Sequence, residues 1–118
     1  MCPIIAKKAV EIPVQPYSGK IVTSEIETNE KDGKPVQYVV MTVQTDADVE
    51  GWDGRFRLST PAYLTQNSGL GKLLRRLKVA YEFGQEFNEH SLEGLSVQFD
   101  TVRNGNFVNP VMDSVRLA

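Results

Sequence analysis

The chain has one cysteine, one histidine and one tryptophan in 118 residues, and no long apolar run. Each scarcity removes a class of protein. A single cysteine, Cys2, leaves no disulfide framework within the chain, which fits a reducing, cytoplasmic compartment. It stands beside Met1, where a catalytic thiol is not expected. His90 lies in a polar stretch next to Glu89 and reads as a surface residue; with no Cys/His cluster around it, zinc spacing is missing. No stretch of about eighteen apolar residues occurs, so no membrane-spanning helix is expected. Residues 1–14 carry Lys7 and Lys8 without a long apolar segment, which does not read as a signal peptide. No Gly-rich loop ends in Gly-Lys-Ser/Thr, no nucleophile elbow is present, and Gly69-x-Gly71 is too short for a phosphate fingerprint. Asp46, Asp48, Glu50 and Asp53 begin like a calcium loop, but Arg57 stands where the closing glutamate belongs. No enzymatic activity, cofactor or metal is therefore expected.

What is present is ordinary for a soluble globular chain: 41% hydrophobic and 24% charged residues, with a net charge of -2. The length suits one domain with its own core. There is no global basic field, so nucleic-acid binding would need a local basic patch. Up to Thr60 there are seven Lys or Arg against nine Asp or Glu; beyond it there are six of each. The excess acid is N-terminal and falls mostly in two expected loops.

Residues 36–44 are the clearest segment. Val39, Met41 and Val43 alternate with Tyr38, Val40, Thr42 and Gln44. A period of two marks a strand with one buried face and one wetter face, and Tyr38 falls on the open one. Residues 1–16 carry Pro3, Pro13 and Pro16 and read as an extended arm, with Ile4, Ile5, Val10, Ile12 and Val14 able to pin it to the core or to a second copy. Residues 17–28 form a first strand, in which Ile21, Val22 and Ile26 require a bulge near Thr23. Asp32-Gly33 signals a hairpin. After an acidic loop, residues 55–59 form a third strand with Phe56 and Leu58 on one face and Arg55 and Arg57 on the other.

Asn67 and Ser68 are capping residues for a helix whose stripe is Leu70, Leu73, Leu74, Leu77 and Tyr81, closed by Gly84. Lys72, Arg75, Arg76 and Lys78 form its wet side. Leu92 is expected to tuck inward. Leu95, Val97 and Phe99 mark a fourth strand, Arg103-Asn104-Gly105-Asn106 a turn, and residues 107–117 a fifth strand interrupted by Pro110.

The expected class is thus all-β with one helix. Five strands with a helix between the third and fourth is the order of the oligonucleotide/oligosaccharide-binding barrel. Two units are expected, an arm over 1–16 and a barrel-like domain over 17–118. From residue 17 onward the chain resembles single-stranded DNA-binding proteins of phage and prokaryotic type. The resemblance rests on strand order, on Gly19-Lys20-Ile21-Val22, on Arg55-Phe56-Arg57-Leu58, and on Leu92-Glu93-Gly94-Leu95 before strand four. It implies a non-enzymatic role on single-stranded DNA, or RNA, in replication.

Among individual residues, Tyr38 would stack bases while Arg55 and Arg57 meet phosphates; the plain alternative is a packed ring and solvated charges. Trp52, in the acidic loop, is either a ligand platform or a local anchor. Phe107, after the second hairpin, is a strand-holding aromatic or, the preferred reading, a core ring. Lys20, Lys34 and Arg103 are further candidate phosphate contacts or simply solvated charges. The competing function is a protein-interaction or assembly module of the same fold, oligomeric through the N-terminal arm.

Overall fold

The computed structural model describes residues 11–82, 84–105 and 107–118. A long antiparallel hairpin dominates it. Strand β1 (Tyr17–Lys31) and strand β2 (Lys34–Thr45) are joined by Asp32-Gly33, with φ of 54° and 76°. Two positive φ angles define the turn type whose twist matches the flanking strands, and Asp-Gly is a pair that tolerates it. The two strands stay in register from Gly19–Thr45 to Lys31–Lys34, apart from one shift between Ile21 and Thr23. That shift is the expected bulge. It keeps Ile21, opposite Val43, and Ile26, opposite Val39, on the same face. Ile21 is fully buried, whereas Ile26 is 40% exposed even though Val39 opposite it is buried.

Strand β3 (Arg55–Pro61) pairs with β2 over Gln44–Tyr38. Strand β4 (Ser96–Phe99) pairs with β1 at Tyr17–Lys20, and the short β7 (Arg116–Leu117) pairs with β4, so the main sheet runs β3-β2-β1-β4-β7. Strands β5 (Thr101–Asn104) and β6 (Phe107–Pro110) form a separate two-stranded ribbon. The class is all-β with one helix and antiparallel pairing. The strands do not close into a barrel: β6 comes near β3, but no ladder joins them among the described residues. The expected fourth strand is observed as β4 and is followed by an additional one, β5, while the expected fifth strand is split into β6 and β7. The chain turns at Asp100, whose N–H donates to Ser114 Oγ (2.8 Å) and whose carbonyl accepts from Val111 N–H (2.8 Å). Past Pro110 a single turn, Met112–Ser114, separates β6 from β7.

Helix α1 (Gly69–Arg76) is shorter than its leucine stripe suggests. Ser68 caps it, its Oγ accepting from Gly71 N–H at 3.0 Å. At the other end Lys78 takes φ 56°; its N–H donates to Arg75 and the Val79 N–H to Leu74. This double bond pattern is a C-terminal capping motif that normally carries glycine at the left-handed position, which is why a lysine there hid the helix end from sequence reading. Tyr81 lies beyond the helix, and Gly84 sits in a later turn. Leu70, Leu73, Leu74 and Leu77 are all buried, as expected. They close the core with Ile21, Val39, Met41, Val43, Phe56, Leu58, Val97 and Phe99. Each such aliphatic side chain removed from water contributes about 1.5–3 kcal/mol. The wet side is not wholly wet. Arg76 Nε donates to the Val115 carbonyl (2.8 Å) and its Nη2 to that of Met112 (2.9 Å), tying the helix to the C-terminal segment.

Of the N-terminal arm, Ile12 packs on the core and Val14 is exposed, while Ile4, Ile5 and Val10 lie outside the described residues, as does most of the segment expected to join a second copy.

Candidate nucleic-acid interface

Directly paired residues of an antiparallel ladder point to the same side of the sheet. The register therefore sorts every candidate without ambiguity. On one side lie Val39, Met41 and Val43 of β2 with Phe56, Leu58 and Thr60 of β3, all buried. On the other side the rows are Lys20–Gln44–Arg55, Thr23–Thr42–Arg57, Glu25–Val40–Ser59 and Glu27–Tyr38–Pro61, then Asn29–Val36 and Lys31–Lys34 toward the hairpin tip. Tyr38, Arg55, Arg57, Lys20 and Lys34 thus share one outer face. With Lys31 added, the register puts five cationic side chains on this face against the two carboxylates Glu25 and Glu27, and Glu30 also lines its groove. It is a positive face on a chain whose net charge is -2.

Within that face is an open groove of about 480 Å³, lined among others by Tyr38, Val40, Arg57, Ser59, Glu27 and Lys31. Tyr38 is half-buried in it. Arg57 Nη2 donates to Glu27 Oε2 at 2.8 Å, and Arg55 Nε donates to Gln44 Oε1 at 2.7 Å. The Arg57–Glu27 bridge spans β2 from one neighbouring strand to the other. Val40, in the row between its ends, is only 8% exposed although it sits on the outer side.

Three candidates are not brought to this face. Trp52 belongs to an aromatic cluster on the core side: its ring meets Phe56 at 5.2 Å and Tyr17 at 5.9 Å between centroids, both edge-on. It is the local anchor of the acidic loop, not a platform beside Tyr38. Tyr17 in turn donates from its hydroxyl to the Pro13 carbonyl (2.6 Å), and burial raises its pKa. The preferred core reading of Phe107 is overturned. Its ring is 72% exposed, because β6 presents Val108 to the core and Phe107 to the opposite side. Arg103, on the same ribbon, reaches the Ile12 carbonyl at 3.4 Å.

Sequence reading missed Glu27 and Val40 as parts of the site. The signal was present in the alternation of Glu25, Glu27 and Asn29, but the bulge hid which of them would face Tyr38.

His90 is exposed, as expected, and it is paired. Nδ1 lies 3.0 Å from Glu93 Oε1 and Nε2 lies 3.5 Å from Glu89. Glu93 Oε1 also accepts from the Ser24 N–H (3.2 Å), so the turn Glu89–Leu92 is tied to the edge of β1. The hydrogen bond to Glu93 raises the His90 pKa above 6.5, and the same bond lowers that of Glu93 below 4.5. A raised histidine stabilises fully below its ordinary value and loses its contribution as pH climbs through the folded midpoint. A lowered glutamate contributes above its ordinary value and loses that as pH falls through the folded midpoint. The tie is therefore firmest in the weakly acidic range. Followed by NMR, the His90 ring should titrate with a midpoint above 6.5, and Glu93→Gln should move it down. An unchanged midpoint in that variant would show that Glu93 is not the cause.

No family model matches the chain, and no significant match is found among curated proteins or solved structures.

Proposed function

We propose that the chain is a non-enzymatic, sequence-tolerant binder of single-stranded nucleic acid, DNA foremost, with the strand lying along the outer face of β1, β2 and β3. One observation carries the reading: the ladder register collects Tyr38, Arg55, Arg57, Lys20 and Lys34 on a single face around an open groove. An aromatic ring offers a stacking surface that every base can use, and the flanking guanidinium and ammonium groups meet the phosphates. The element order supports kinship with the oligonucleotide/oligosaccharide-binding architecture: three meandering strands, a helix beneath, then strands that return beside β1 and approach β3. A cytoplasmic role in replication fits the same reading.

The test is a titration of dye-labelled polythymidine, followed by anisotropy at two salt concentrations. Binding should weaken as salt rises, with a slope of about 0.7 per phosphate neutralised on a single strand. With Lys20, Lys31, Lys34, Arg55 and Arg57 available, a slope of about two is expected once the two carboxylates are set against them. No binding at either salt would remove the reading.

A second reading, a protein-interaction module, is favoured by two exposed apolar side chains on the outer side of the ribbon. There Val102 is 51% and Phe107 72% exposed, and their strands pair so that both side chains face away from the core, with Asn104 and Asn109 beside them. Light scattering decides between them: a stable oligomer with no oligonucleotide affinity selects this second reading.

A further inference from the structure

The groove beside Tyr38 already holds an anion of its own. Glu27 Oε2 sits 2.8 Å from Arg57 Nη2, within the distance of a charge-assisted hydrogen bond, and it occupies the position toward which a phosphate oxygen would be drawn. The two side chains come from β1 and β3, the strands on either side of β2, and meet across it. Their rows differ: Glu27 lies in the row of Tyr38, Arg57 in the row of Thr42, and Val40 falls between them. The bridge therefore runs diagonally over the only aliphatic residue of the groove floor, which is 8% exposed. Both charged side chains remain open to water, Arg57 at 64% and Glu27 at 43%, so either can exchange its partner.

We propose that Glu27 is an internal stand-in for phosphate, a latch that holds Arg57 across the groove until a nucleic-acid backbone takes the guanidinium. This rests on the nucleic-acid reading above and adds regulation to the same face. In the latched state Arg57 and Glu27 cancel, and the bridge screens Val40 and the inner side of the Tyr38 groove. When phosphate displaces the carboxylate, Arg57 swings off Glu27. Val40 and Tyr38 are then uncovered together as a surface on which a base can lie, and Glu27 is left as a repelling charge. A water-exposed ion pair is worth about 0.2–1 kcal/mol, so the latch is weak enough to open for a polyanion and strong enough to weaken single phosphate contacts. Affinity is thereby set by the number of phosphates delivered together, which favours long strands over mononucleotides or free phosphate.

The experiment is a double-substitution cycle on the full chain: wild type, Glu27→Gln, Arg57→Gln and both, titrated with dye-labelled polythymidine at two salt concentrations. Glu27→Gln is expected to tighten binding by about 1.4- to 5-fold at low salt, the ion-pair energy expressed as a ratio. It should also steepen the salt dependence by about 0.7, one more phosphate neutralised. In the Arg57→Gln background the same change should bring much less gain, because no guanidinium remains to release. An equal gain in both backgrounds would show that Glu27 acts only as a general negative charge and would overturn the latch. Wild-type binding with no gain in Glu27→Gln overturns the latch alone. Flat titrations for wild type and Glu27→Gln both remove the nucleic-acid reading and the latch with it. Glu27 is surface-exposed, and circular dichroism of each variant confirms that only binding has changed.

Discussion

Gly71→Ala is expected to lower the melting temperature by about 10 °C. A Cβ at this position would lie 1.9 Å from the Thr65 carbonyl oxygen and 3.0 Å from its carbon. Those are backbone atoms, so no side chain can rotate away. The carbonyl is also held, accepting from Ser68 Oγ at 2.9 Å, while the same hydroxyl accepts from Gly71 N–H and so caps the helix. Relieving the clash means moving α1 off the loop before it, with Leu70, Leu73 and Leu74 attached. Overpacking of this kind costs about 1–3 kcal/mol or more, and breaking the cap adds ~1 kcal/mol. The gain from replacing glycine inside a helix is ~1 kcal/mol and does not offset it. Thermal unfolding followed by circular dichroism measures the difference. An unchanged midpoint would mean that the helix does not seat against Thr65.

The second large effect concerns Tyr38. Its replacement by alanine should weaken polythymidine binding by about 5- to 150-fold, the equivalent of one stacked base at about 1–3 kcal/mol. Tyr38→Phe should retain most of the affinity, since stacking needs the ring and not the hydroxyl. Folding should change little in either variant, because the ring stands on the outer side of β2, away from Met41 and Val43. Wild-type affinity in the alanine variant would place the stacking surface elsewhere. The exposed rings Tyr63, at 70%, and Phe107, at 72%, would then be the next to test.

Much of this was legible from residue types alone. The alternation of Val39, Met41 and Val43 with Tyr38, Thr42 and Gln44 placed Tyr38 on the outer side, and Phe56 and Leu58 placed the two arginines there as well. Asp32-Gly33 marked the hairpin because few pairs accept two positive φ angles. The leucine stripe marked the helix face. The errors have physical causes of their own. The helix stops at Leu77 because Val79 N–H and Lys78 N–H turn back onto the last carbonyls, a capping that lysine does not advertise. Phe107 faces outward because its neighbour Val108 takes the inward position, and a four-residue strand holds no long alternation to reveal which. For Trp52, left open between platform and anchor, the outcome is set by Phe56 four residues on together with Tyr17, a partner far away in sequence.

Local chemistry, then, decided the elements and which side of each would be wet, because side-chain alternation and turn geometry act within a few residues. Which wet sides meet was a matter for tertiary pairing. Only the bulge between Ile21 and Thr23 and the β1–β2 register set Glu27 beside Tyr38 and within reach of Arg57, thirty residues away. The same long-range pairing left the ribbon of β5 and β6 outside the main sheet, since strand closure depends on contacts that no short window of sequence contains.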